Sequence, residues 1–133
     1  MRKLARETAF KIVYKSLFPS NDLSCEELLE DDNIVDKEDV EFVSTLIDLY
    51  KNNAEEINKC INSKLTSYTP DRVYRIDRAI LCIALTEILF YKKTPLKVVI
   101  NEAIEMAKKY STEKSYSFVN GVLKVLVEEQ NVN

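Results

Sequence analysis

The stretch AILCIALTEILFY, residues 79–91, is apolar around its whole circumference when drawn as a helix, apart from Thr86 and Glu87. A helix of this kind lies buried among other helices, and this run is too short to cross a bilayer. We therefore predict a central helix over 76–91. A buried carboxylate needs partners, so Glu87 is expected to bond a neighbouring helix or to lie at a rim.

The remaining sequence predicts the helices that surround this central one. Amphipathic patterns favour helices over 3–17, 95–110 and about 114–129, and Thr94-Pro95 reads as a capping hydroxyl followed by proline at the first helical position. Shorter helical segments are expected around Cys25–Leu29 and around Arg72 and Arg75.

The fold class follows from these patterns and from the scarcity of turn residues. The chain has one glycine and three prolines in 133 residues, and no segment alternates like a strand for more than a few residues. We predict an all-α compact bundle of about seven helices, a single domain over 1–133. Its N-terminal helical half spans about 1–66 and its C-terminal half about 70–130.

A heptad pattern between residues 40 and 61 admits two interpretations. Apolar residues alternate at spacings of three and four: Val40, Val43, Ile47, Tyr50, Ala54, Ile57 and Ile61. The pattern fits the seam of a coiled-coil dimer or one long helix of the bundle. Phe42, Leu46, Leu49 and Cys60 widen the apolar stripe, which favours the bundle helix.

Composition argues against most catalytic and cofactor sites. The absence of histidine removes the usual general base, and a single glycine cannot form a phosphate-binding loop or a dinucleotide fingerprint. Cys25, Cys60 and Cys82 show no paired zinc spacing and indicate reduced side chains in a cytoplasmic protein. We therefore expect a protein without cofactor, metal or enzymatic activity.

Charge is distributed unevenly along the chain. Residues 22–41 contain ten acids and one lysine, a local charge of −9, which leaves +6 for the remainder of a chain whose net charge is −3. A solvated surface explains the acidic stretch most simply. The basic remainder leaves room for a local nucleic-acid site.

The N-terminal helix offers such a site. Arg2, Lys3 and Arg6 are expected to project past the end of the bundle, where they could bind phosphates or form an ordinary solvated helix start. Tyr14 and Phe10 follow at helical spacing, and such aromatics either stack on splayed RNA bases or pack in the core.

A second group of cations lies before the central helix. Arg72, Arg75 and Arg78 recur every three residues, with Asp71 and Asp77 among them. Surface ion pairs are one interpretation, and contact with a partner protein is the other.

Three segments carry a resemblance to a known family. ARETAFKIVY (5–14), DRAILCIALTEIL (77–89) running on to VVINEAIEMAKKYS (98–111), and SFVNGVL (117–123) resemble the motifs of the NusB family of transcription antitermination proteins, in the same order and at similar spacing. The motifs cover about half of the chain.

The resemblance implies a fold and a function. Its members are built from two small helical bundles. They bind boxA-type single-stranded RNA together with ribosomal protein S10, called NusE in this role, and join RNA polymerase to suppress premature termination, notably on ribosomal RNA operons. The resemblance assigns RNA binding to Arg2, Lys3, Arg6, Tyr14 and Phe118. It extends the partner surface over Tyr14, Asp77 and Phe118, with Arg78 beside them.

Two other functions remain open at this point. A related helical domain guides ribosomal-RNA methyltransferases, so the chain could be a detached module of that kind. A homodimeric scaffold built on the 40–61 seam is the other alternative.

Gly121, the single glycine, lies inside the predicted last helix, where glycine costs about 1 kcal/mol relative to alanine. With Ser117 one turn earlier, it predicts either a close contact with another helix of the bundle or a strip that borders the partner or RNA surface near Phe118.

Overall fold

The computed structural model describes residues 2–18, 29–30, 32–64, 75–112 and 114–129, and the regular structure within these ranges is entirely helical. Five α-helices are bounded within the described residues: α1 (Arg2–Ser16), α2 (Lys37–Ser63), α3 (Arg75–Thr86), α4 (Leu96–Tyr110) and α5 (Ser115–Glu129). A π-helical turn, Glu87–Tyr91, continues α3. The all-α prediction is confirmed. The two shorter helical segments that brought the expected number to about seven lie largely outside the described residues.

The apolar helix α3 is the centre of the bundle, as its sequence predicts. It packs against α1, α2, α4 and α5. Every residue from Ala79 to Glu87 is buried, and so are the inward faces of the four helices around it. A helix that is apolar on all sides can bury its whole surface only when other helices surround it.

The heptad seam of α2 is used inside the chain. Val43, Ile47, Tyr50, Ile57 and Ile61 are buried in the common core, where α2 packs on α1 and α3. The bundle-helix interpretation is therefore confirmed, and the seam is not available to form a coiled coil with a second copy. Asp36 starts this helix, because its carboxylate accepts hydrogen bonds from the backbone N–H groups of Glu38 and Asp39.

The predicted helix boundaries hold within one or two residues, but the predicted cap of α4 is wrong. Pro95 takes the N-cap position without a side-chain hydrogen bond. The Thr94 hydroxyl instead donates to a Glu87 carboxylate oxygen at 2.5 Å. Thr94 precedes the N-cap residue, and its hydroxyl hydrogen is used by the buried carboxylate of Glu87.

Gly121 does not mark a close helix contact. It is exposed on α5, and a Cβ built at this position would have no neighbour within 4 Å among the described residues. The close-packing interpretation is therefore wrong. The alternative, that this side of α5 borders a partner or RNA surface, stays a prediction.

The two cysteines that lie in the described ranges are free thiols, Cys60 half-buried and Cys82 buried. Burial raises the pKa of Cys82 to about 12, so it is a neutral thiol at physiological pH. Cys25 lies outside the described residues. Across the same ranges, none of the helices combines the length and the apolar content that a membrane crossing requires.

Candidate nucleic-acid interface

The first turn of α1 presents two of its three predicted cations to solvent. Arg2 and Lys3 are exposed. The Arg2 guanidinium carbon lies 4.1 Å from the centre of the Phe42 ring, over the start of α2. Stacking on an aromatic face orients a guanidinium and leaves its N–H groups available at the edges. Arg2 and Lys3 are thus placed where phosphates could reach them.

Arg6 is not exposed, which corrects the expectation for this residue. Only 6% of Arg6 is accessible, and its guanidinium forms a two-pronged ion pair with Glu87: Nε lies 2.8 Å from Oε1 and Nη2 lies 2.7 Å from Oε2. Burial disfavours the charged guanidinium, but the hydrogen bonds and charge of Glu87 outweigh it and raise the pKa of Arg6. The pair neutralises both buried charges and satisfies their hydrogen bonds. Glu87 thus bonds a neighbouring helix, which is one of the two outcomes that the sequence predicts for it.

An aromatic groove lies at the opposite end of α1. Phe10, Tyr14 and Phe18 follow one another at four-residue spacing and form a ridge, with Tyr14 and Phe18 edge to face at 5.2 Å between ring centres. Tyr110, the last residue of α4, packs on Phe10 at 5.1 Å. The groove encloses about 560 Å³ and is lined by Tyr14, Phe18, Arg75, Ile76, Tyr110, Ser111 and Thr112.

Arg75 provides the positive charge of this aromatic groove. Its guanidinium carbon lies 4.8 Å from the centre of the Phe18 ring, and the residue is exposed at the start of α3. A stacked arginine beside open aromatic faces is the arrangement by which proteins hold unpaired bases and the phosphate next to them. Of the residues predicted for RNA binding, only Tyr14 lines this groove.

The wall between the basic end of α1 and the aromatic groove is held by internal ion pairs. Glu7 accepts hydrogen bonds from Lys109 Nζ and from the Tyr110 hydroxyl, both at 2.6 Å. Burial opposes ionisation of Glu7, yet these two donors and the charges of Lys109 and Lys11 prevail and lower its pKa. Lys11 in turn bonds Asp32 at 3.0 Å, where the acidic stretch returns to α1.

The predicted partner residues fall into two places. Asp77 is buried and accepts hydrogen bonds from Ser111 Oγ at 2.7 Å and Ser115 Oγ at 2.9 Å, so it fixes the rim of the aromatic groove. Arg78 faces away from the groove, toward α2, and donates to the side-chain oxygens of Asn58 at 2.9 Å and Asn62 at 2.6 Å.

Phe118 is half-buried on the first turns of α5 and packs against the core. The structure therefore does not gather all predicted site residues into one cluster. Arg2 and Tyr14 are separated by about 18 Å along α1 at 1.5 Å per residue.

Sequence reasoning missed the two other aromatic residues that line the groove, Phe18 and Tyr110. Phe18 continues the Phe10–Tyr14 spacing by one more turn, so the ridge was visible in the sequence. Tyr110 carries no such signal, because its position suits the apolar stripe of α4 equally well. Its role depends on how α4 crosses α1, which is a property of the packed bundle.

Comparison with known proteins identifies the family. The NusB family model matches residues 3–128. The chain belongs to the NusB family. The transcription antitermination protein NusB of Finegoldia magna is 35% identical over 135 residues, covering 99% of this chain and 98% of that relative.

Solved structures of the NusB family share the fold. A NusB structure from T. maritima is 36% identical with a TM-score of 0.86 and covers 97% of this chain and 92% of its own. A chain from a crystal structure of the antitermination factors NusB and NusE in complex with dsRNA is 30% identical with a TM-score of 0.88. The match covers 96% of this chain and 96% of the matched chain.

Proposed function

We propose that this chain is an RNA-binding transcription antitermination factor. It binds boxA-type single-stranded RNA together with ribosomal protein S10 (NusE), joins the RNA polymerase antitermination complex, and suppresses premature termination, notably on ribosomal RNA operons. The observation that carries this proposal is the aromatic groove with Arg75 stacked at its edge, in a chain of the NusB family. A relative in this family is solved with NusE and RNA.

Base and phosphate contacts divide between the two ends of α1. Tyr14 stacks on a base in the aromatic groove with Phe118 on the neighbouring surface, while Arg2 and Lys3 neutralise phosphates. Arg6, predicted as an RNA contact, instead acts through its ion pair with Glu87, which ties the first turns of α1 to the end of α3.

The partner protein binds beside the aromatic groove. Tyr14 and Phe118 remain the proposed direct contacts there, and Arg78, which faces α2, is proposed as a contact outside the groove. Asp77 stays in the proposal as a residue that shapes the contact surface. Asp77 acts by holding Ser111 and Ser115, and it presents no free carboxylate of its own while those two bonds persist.

The proposal also covers the domain organisation, cellular location and type of activity of the chain. The chain forms one domain of two helical halves, about 1–66 and 70–130, acts in the cytoplasm without membrane or small-molecule substrate, and binds rather than catalyses. No observation favours a methyltransferase module, and the scaffold hypothesis loses its basis with the burial of the α2 seam.

A pull-down from bacterial lysate tests the proposed function. Tagged chain is expected to retain S10 and ribosomal leader RNA, and a Tyr14→Ala variant of equal thermal stability is expected to retain less of the RNA. Retention of a methyltransferase with no S10 and no leader RNA would contradict the proposal.

A further inference from the structure

A second group of cations and aromatic rings lies at the end of the bundle opposite the aromatic groove. Arg2 stacks on Phe42 at 4.1 Å, Phe42 meets Tyr91 edge to face at 5.3 Å, and Lys93 Nζ lies 5.6 Å from the centre of the Tyr91 ring. This cation–aromatic ladder, as we call it, joins the first turn of α1, the first turns of α2 and the π-helical turn.

We propose that the cation–aromatic ladder is a second contact surface for the RNA backbone, with Lys92 and Lys93 as its phosphate-binding residues. The inference rests on the proposed RNA-binding function and extends it to a turn that no sequence motif singled out. Phe42 is buried and serves to position Arg2, while Lys92 and Lys93 are exposed beside it. Several exposed cations held close together favour a nucleic-acid backbone, because each can neutralise a phosphate of the strand.

The cations of the ladder differ from those around the middle of α1 in having no internal ion pair within the described residues. In the part of the chain that the structure describes, Lys11 is paired with Asp32 and Lys109 with Glu7, whereas Arg2, Lys92 and Lys93 have no carboxylate within 4.0 Å. Cations without an internal partner bind an external anion without first losing an ion pair. The ladder therefore offers charge that the middle of α1 does not.

The backbone at Lys92 supports a use for its side chain. Lys92 ends the π-helical turn in the left-handed region, with φ 61° and ψ 16°, and its N–H closes the turn on the Glu87 carbonyl at 2.9 Å. This conformation is disfavoured for a residue that carries a Cβ. The left-handed residue ends the helix at this point, and Lys92 is exposed there, so its ammonium group is accessible to an external anion.

The buried Arg6–Glu87 ion pair connects the two segments that carry the cations of the ladder, α1 and the π-helical turn. Glu87 opens the π-helical turn, and both Arg6 and Thr94 bond its carboxylate. The turn that carries Tyr91, Lys92 and Lys93 is therefore held against α1, so the exposed cations of the two segments keep a fixed separation.

A double variant, Lys92→Asn with Lys93→Gln, tests the proposal. Asparagine tolerates the left-handed conformation, so the fold is preserved while two positive charges are removed. In fluorescence-anisotropy titrations of boxA-type RNA extended on both sides, we expect affinity to fall about tenfold. The slope of log affinity against log salt should become shallower by about 1.4, for two lost contacts to a single strand.

A matched control removes the same charge elsewhere. Lys51→Gln with Lys59→Gln changes two exposed lysines of α2 and is expected to leave the slope within experimental error of the wild type. If the Lys92/Lys93 variant behaves like this control, the ladder does not contact RNA. If it binds RNA normally but loses affinity for S10 alone, the surface belongs to a protein partner and the proposal is wrong.

The proposed function and this inference fail in different ways. A Tyr14→Ala variant that loses RNA while the Lys92/Lys93 variant keeps it overturns the ladder and leaves the proposed function standing. Wild-type chain that binds no RNA, with or without S10, overturns both.

Discussion

At the scale of single residues, the molecule is organised by charges that are paired internally or left for partners. Arg6 and Glu87 are both buried and neutralise each other, while Arg2 and Lys3 on the same turns of α1 reach solvent. A helical wheel places Arg6 on the core-facing stripe, and a charged residue in that position either overhangs the core or finds a buried partner. The choice here depends on Glu87, which is 81 residues away.

Removing one partner of the Arg6–Glu87 pair should lower stability more than replacing both partners by apolar residues. Arg6→Met leaves a buried carboxylate without its partner and is expected to lower the free energy of unfolding by about 3–5 kcal/mol, whereas Arg6→Met with Glu87→Leu removes both charges and should recover most of that loss. Urea unfolding followed by circular dichroism measures both. An Arg6→Met variant as stable as the wild type would place Arg6 outside the core.

Glu7 should make the fold sensitive to acid. Its pKa is lowered in the folded chain, so it contributes stability that is fully present above the unfolded pKa of about 4.3 and is lost as pH falls through the lower folded value. The stability difference between wild type and Glu7→Gln is expected to be larger at pH 7 than at pH 3.5. A difference that stays constant between these two pH values in urea titrations would contradict the bonds from Lys109 and Tyr110.

At the scale of elements, each helix is placed by what covers its apolar surface. α3 is apolar on all sides and lies in the middle, while α2 uses its heptad seam against α1 and α3. α5 has a different outer side, where Gly121 faces open space and Val125 is 44% exposed. The glycine is therefore not required by packing within the described chain.

Gly121→Ala should stabilise the protein. Alanine fits without contact and has the higher helix propensity, so the free energy of unfolding is expected to rise by about 0.5–1 kcal/mol. Urea unfolding provides the number, and RNA and S10 titrations on the same variant show whether a partner approaches this side of α5. Destabilisation by alanine would mean that the helix is packed more closely there than the structure shows.

Ile57 reports on how the seam of α2 is used. It is fully buried within the chain, so Ile57→Ala should cost about 2–5 kcal/mol. The midpoint of unfolding of both proteins should not depend on protein concentration. A midpoint that falls on dilution would instead indicate that the seam joins two copies.

At the scale of the whole molecule, the sequence predicts the helices better than it predicts their meeting points. Periodicity located α1, α4 and α5 within one or two residues, because amphipathic patterns are local. Tyr14 could be singled out because it follows Phe10 at helical spacing and because it belongs to a family motif. The approach of Tyr110 to Phe10, and of Arg6 to Glu87, depends on helix crossings that no local pattern encodes.

This difference explains why the candidate interface was only partly predictable. The cations Arg2 and Lys3 are exposed as expected, but the groove around Tyr14 is completed by Phe18, Arg75 and Tyr110 from three separate segments. Its rim depends on Asp77, which is buried and accepts hydrogen bonds from Ser111 and Ser115. A residue that resembles a partner contact in the sequence can thus act by shaping the surface.

Binding of boxA-type RNA by Tyr14→Ala and Tyr14→Phe variants, followed by fluorescence anisotropy in the presence of S10, tests the central claim most directly. If a base stacks in the aromatic groove, Tyr14→Phe should bind within about twofold of the wild type, and Tyr14→Ala should lose roughly tenfold to hundredfold, the range for one stacked base. Equal binding by Tyr14→Ala and the wild type, with both proteins folded by circular dichroism, would contradict the assignment of this groove to RNA.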